Sequence, residues 1–154
     1  MALEDKAKQL AELKQRWEQV DSDAERDWLL AELHDLYDNV EAWLGPLQQK
    51  GFVVSRRIPI QLVEEGIGDY NAEELILEFG PEAIILQPKG TLIVGARGKV
   101  DVFRRGSRGE HIMLILSGAK ETPHWEIWPS RDPRQRKPLE QASFEELLEN
   151  LLEV

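Results

Sequence analysis

The chain has 154 residues, 42% apolar and 31% charged, the composition of an ordinary globular protein with a buried core, and no apolar run approaches the roughly 18–20 residues that cross a bilayer. It contains no cysteine, which excludes disulfides, thiolate catalysis, iron–sulfur clusters and the common cysteine-based zinc sites. With 19 Lys/Arg against 29 Asp/Glu the net charge is −10, so the molecule as a whole repels phosphate backbones and anionic lipid, and any such binding has to be local.

The start, Met1-Ala2-Leu3-Glu4-Asp5-Lys6, lacks the chemistry of a secretory signal, and a cytoplasmic location without a membrane partner is the expectation. A single α+β domain is expected, with a helical hairpin over 1–50, an antiparallel sheet over 51–128, and a basic loop with a C-terminal helix over 129–154. In the first helix Leu3, Ala7, Leu10, Leu13, Trp17 and Val20 recur at three- and four-residue steps on one face. Ser22-Asp23-Ala24-Glu25 has the form of a capping box, which places the start of a second helix there. The apolar positions of that helix are Leu29, Leu33, Leu36, Val40, Trp43 and Leu47, and Gly45-Pro46 should end or kink it before Gly51. Two amphipathic helices joined by a short connection form an antiparallel pair, and this one should bury Trp17 and Trp43 against the sheet or a second copy.

From Gly51 the period changes to two. Phe52 to Val63 alternates as a strand, which Pro59 demotes to a sheet edge, and Glu65–Asn71 reads as a loop. Further strands are expected at Glu74–Phe79, Ala83–Gln87, Thr91–Arg104 with a break near Gly95 or Gly98, His111–Leu116 and His124–Trp128. Short connections make all of them antiparallel, a meander of five to six strands. Ser130–Pro138 is an extended basic loop, and a second capping box at Ser143-Phe144-Glu145-Glu146 opens the last helix with Phe144, Leu147, Leu148, Leu151 and Leu152 on its apolar face.

Charge is sorted along the chain. Residues 89–137 carry 11 Lys/Arg against 5 Asp/Glu, whereas 1–50 carry 6 against 12 and 138–154 carry none against 5. Arg97, Lys99, Arg104, Arg105 and Arg108 in the sheet, extended by Arg131, Arg134, Arg136 and Lys137, make a candidate surface for an anionic partner, with Trp128 as a stacking platform. The same residues also read as a solvated sheet face whose arginines pair with carboxylates of the same molecule, with Trp128 covered by Pro129 and the last helix. Trp125 and Trp128 should point to opposite faces. His34 and Asp38 stand one turn apart and could hold a metal with Glu41, but carboxylates are so frequent in this helix that an ordinary exposed histidine is the plainer reading. No nucleophile elbow, phosphate loop or dinucleotide fingerprint is present, so no catalytic residue and no cofactor is assigned.

The run Gly90-Thr91-Leu92-Ile93-Val94-Gly95-Ala96-Arg97-Gly98-Lys99-Val100-Asp101, followed by Trp125 and the Phe144 helix, resembles a segment of small uncharacterised bacterial proteins. The resemblance covers the C-terminal half; it implies a bacterial origin and an α+β domain, and brings no activity, cofactor or catalytic residue. An acidic α+β dimer of this size is also similar to small bacterial secretion chaperones, from which the order of helices before strands departs. The expected function is a non-enzymatic, self-associating interaction module, since two leucine stripes and three tryptophans in 50 residues exceed what a hairpin hides within itself. Nucleic-acid or polyanion binding through 97–108 and 131–137 is the alternative.

Overall fold

One helix stands where the sequence suggested a hairpin: α1 runs unbroken over Ala2–Trp43, 42 residues, straight through Ser22. The computed structural model describes residues 2–64, 68–90, 98–107, 112–130 and 132–153, with only the backbone for 15–22 and Gly90. The physical reason for the continuity is that no Gly or Pro occurs before Gly45, and Ser-Asp-Ala-Glu is as compatible with a helix interior as with its start. Arg26 pairs with Asp23 one turn back at 3.5 Å, an interaction of the helix interior. The break falls where Gly45-Pro46 was expected to cause it. After Leu44 comes a single-turn α2 (Gly45–Gln49), closed at Gly51, whose φ of 75° suits glycine.

The strands are β1 (Val54–Glu64), β2 (Gly68–Phe79), β3 (Glu82–Gly90), β4 (Gly98–Arg104), β5 (Ile112–Ser117), β6 (His124–Trp128) and β7 (Lys137–Pro138). They form one sheet in sequence order, each antiparallel to its neighbours, so the meander stands with seven strands instead of five or six. The additional strand is β7, two residues of the expected basic loop that pair with Glu126 and Ile127. β2 begins earlier than Glu74, because Tyr70 and Ala72 alternate with Asp69, Asn71 and Glu73; the strand period prevails over the turn-like composition of 68–71. Pro88 also lies inside a strand, where a register shift between Pro88 and Gly90 accommodates its missing donor. The first part of the expected Thr91–Arg104 strand, 91–97, lies outside the described residues, as do 65–67, 108–111 and Arg131.

The register places Leu75, Leu77, Ile84, Leu86, Val100, Val102, Leu114, Leu116 and Ile127 on one face. That face joins Leu29, Leu33, Leu36, Val40 and Leu44 of α1 and Phe144, Leu147 and Leu148 of α3 (Gln141–Leu152) in one buried cluster. Trp43 is half-buried with its ring 5.8 Å from that of Phe144. The last helix starts three residues before Ser143: Glu140 is its N-cap, and Ser143, in the first turn, accepts the Glu140 N–H at 2.8 Å. The box pairs Glu140 with Ser143, one turn earlier than the expected pair of Ser143 and Glu146. Among the described residues no helix is long and apolar enough to cross a membrane.

Candidate functional site

Arg97, Arg108 and Arg131 lie outside the described residues. Lys99 and Arg104 stand on opposite faces of β4, as alternation requires. Lys99 Nζ is 3.4 Å from Asp101 Oδ1 on its own face. Arg104 donates from Nε to Glu82 Oε2 at 2.8 Å and from Nη1 to the carbonyls of Leu151 (3.5 Å) and Glu153 (3.3 Å). It thereby serves the open carbonyl end of α3, where cationic charge opposes the helix dipole. The Arg104 hydrogen bond holds the Glu82 carboxyl below its ordinary range. Arg134 grips Asp132 through Nε and Nη2 at 3.2 and 3.1 Å, which lowers the Asp132 carboxyl likewise. Arg136 lies flat on Trp128, 3.6 Å from the ring centroid, and the Trp128 indole N–H donates to Glu126 Oε1 at 3.4 Å. Trp125 packs against the core while Trp128, half-buried, is on the other face, as expected from their spacing, and Arg136 lies over the Trp128 ring. Arg105 is exposed in the turn after β4.

The polar clusters are built around internal partners. Arg57 of β1 donates to Asp38 Oδ1 at 2.7 Å and Glu41 Oε1 at 2.9 Å, and its Nη1 lies 3.1 Å from His34 Nδ1. A guanidinium therefore sits where His34, Asp38 and Glu41 would hold a metal, and its hydrogen bond keeps the Asp38 carboxyl below its ordinary range. Among the described residues no group of three His, Asp or Glu side chains is arranged to hold a metal ion. His124 Nε2 is 3.9 Å from Glu126 Oε2, and the other oxygen of that carboxylate accepts from Ser117 at 3.0 Å. Tyr70 donates to the buried Glu64 at 2.6 Å; burial first, then the carboxylate, push the phenol well above its ordinary value.

The surface that the sequence reading missed is on α1. Each residue turns the helix by about 100°, so in one continuous rod the row Leu3, Leu10, Leu13 lies roughly 120° around the axis from the row Leu29, Leu33, Leu36, Val40 that meets the sheet. A turn at Ser22 would have let both rows face the core; without it the first row cannot. Every described side chain from Ala2 to Lys14 is exposed, with Leu3 at 74%, Leu10 at 66% and Leu13 at 41%. Farther along α1, Lys120 in the turn between β5 and β6 stands 3.6 Å from Glu25 and 5.7 Å from the Trp28 ring. The exposed stretch Ala2–Lys14 forms an arm. The signal was in the sequence: with no helix breaker before Gly45, the phase between the two apolar rows could be computed.

Two further features bear on docking. Both sheet edges carry a proline, Pro59 in the middle of β1 and Pro138 in the two-residue β7, so neither offers an unbroken row of donors to an added strand. A groove of about 360 Å³ opens at the far end of α1, between Trp43, Leu47 and Phe79 on one side and Leu148, Leu152, Glu145 and Glu149 of α3 on the other. No family model matches the chain, and neither does any curated protein or solved structure.

Proposed function

We propose that this protein is a non-enzymatic interaction module that self-associates through the outward apolar row of its N-terminal arm. The observation that carries the reading is the phase mismatch within α1, which leaves Leu3, Leu10 and Leu13 exposed on a helix whose other row is fully used by the sheet. An isolated helix of this length is marginal in water, and a leucine row on it gains stability only against another apolar surface. A second copy fits electrostatically. Residues 2–14 hold 3 Lys against 3 Asp/Glu, so arms approach without the repulsion that a net charge of −10 imposes on the bodies. The prolines at both edges leave the helix, rather than strand addition, as the route.

The polyanion reading has less support. Lys99, Arg104 and Arg134 each have a carboxylate of the same chain within 3.4 Å, and Arg136 is engaged with Trp128. Light scattering on the eluting protein at low micromolar concentration tests the proposal: a mass near twice 17.7 kDa is expected, and a mass of 17.7 kDa across the accessible concentrations would remove it.

A further inference from the structure

The arm and the groove match each other in polarity, charge and position. On the arm, Leu3, Ala7, Leu10 and Leu13 follow the spacing by which an amphipathic helix fills an apolar groove. Lys6 and Lys14 fall within about 60° of that row, while Glu4, Asp5 and Glu12 lie more than about 120° from it. The face that carries the leucines is thus cationic at its borders, although the arm as a whole is neutral. The groove has the opposite character: Glu145 and Glu149 stand exposed on its α3 wall, and α3 contains no basic residue. Its floor is apolar and open. Leu47 is 37% exposed, and Phe52, 63% exposed, is tied beside it by its backbone N–H to the Leu47 carbonyl at 3.0 Å.

Position adds a third argument. Leu10 and Trp43 are separated by roughly 50 Å of straight helix, so an arm cannot reach the groove of its own chain. It can reach that of a second copy. When two α1 helices run antiparallel about a two-fold axis between Asp27 and Trp28, Leu10 of each comes level with Gly45 of the other, the end of α1 at which the groove opens. The same register sets Ala24 against Ala31, both exposed and both small enough for two helices to cross closely. A two-fold contact of this kind closes on itself and buries both arms at once.

Building on the self-association proposed above, we infer that the occupant of the groove between α2 and α3 is the N-terminal arm of a second copy of this chain, exchanged reciprocally, with Lys6 and Lys14 facing Glu145 and Glu149. The chain's lack of cysteine makes the test direct. Leu10→Cys and Leu47→Cys are introduced singly and together into the full-length protein, oxidised with a copper catalyst, and run without reductant. Disulfides form only when Cα atoms approach within about 7 Å. Expected is a covalent dimer from the double variant and none from either single variant. Crosslinking of Leu10→Cys alone would mean that arm pairs with arm, and would overturn the inference. So would a double variant that stays uncrosslinked while the unmodified protein still sediments as a dimer, an outcome that leaves self-association itself intact. A wild-type monomer would end both. As a second measurement, Lys6→Glu with Lys14→Glu should weaken dimerisation at least tenfold, and adding Glu145→Lys with Glu149→Lys should restore most of it; a charge reversal without effect, or without rescue, contradicts the assignment.

Discussion

Arg104 illustrates how this molecule spends its charge. Its guanidinium joins Glu82 at the β2–β3 hairpin to the last carbonyls of α3, so one side chain fastens two elements distant in sequence. Replacing Arg104 with Met should loosen the final turn of α3, seen as faster amide hydrogen exchange there with the β4 amides unchanged. The pH dependence follows in sign from the lowered Glu82 carboxyl. A carboxyl whose folded value lies below its unfolded one stabilises fully above the unfolded value, about 4.3, and loses that contribution as pH falls through the folded value. The stability difference between wild type and Arg104→Met should accordingly be present at neutral pH and shrink as pH falls below about 4. A difference that is independent of pH in urea titrations would show that the pair does no electrostatic work. In the core, Phe144 is fully buried beneath Trp43, and Phe144→Ala should cost about 3–5 kcal/mol in urea denaturation.

At the scale of elements, α1 is the case where local reading and the folded chain part company. Each apolar row was visible in sequence, as were the break at Gly45-Pro46, the edge position of β1 from Pro59, and the meander from its short turns. The hairpin was not there. A capping-box pattern is a local signal, and four residues without glycine or proline cannot stop a helix that packing on one side already sustains. The shift of the last box from Ser143 and Glu146 to Glu140 and Ser143 has the same origin, since a local pattern leaves open which turn is the first of the helix. For the basic block, sequence shows the sign of each charge, whereas its partners are set by tertiary pairing, as Arg134 on Asp132 and Arg136 on Trp128 demonstrate. The two rows of α1 make a sharp contrast in mutagenesis. Leu36→Ala removes a core side chain and should cost about 2–5 kcal/mol. Leu10→Ala should leave the stability of the body within about 0.5 kcal/mol of wild type when measured below the association concentration. If Leu10→Ala destabilised the monomer as Leu36→Ala does, the arm would be part of the core.

At the scale of the whole molecule, one helix serves two surfaces. Its C-terminal half is a layer of the α+β fold, held by the sheet and α3; its N-terminal half extends the same rod away from that layer with its leucines turned aside. Association then buries the leucines without unfolding or rearranging the body. Sedimentation equilibrium of the full-length protein beside its Leu10→Glu variant tests the central claim most directly. Wild type is expected to reach a mass near twice 17.7 kDa, while Leu10→Glu remains at 17.7 kDa with an unchanged denaturation midpoint below the association concentration. Equal masses for the two proteins, at either value, would contradict it.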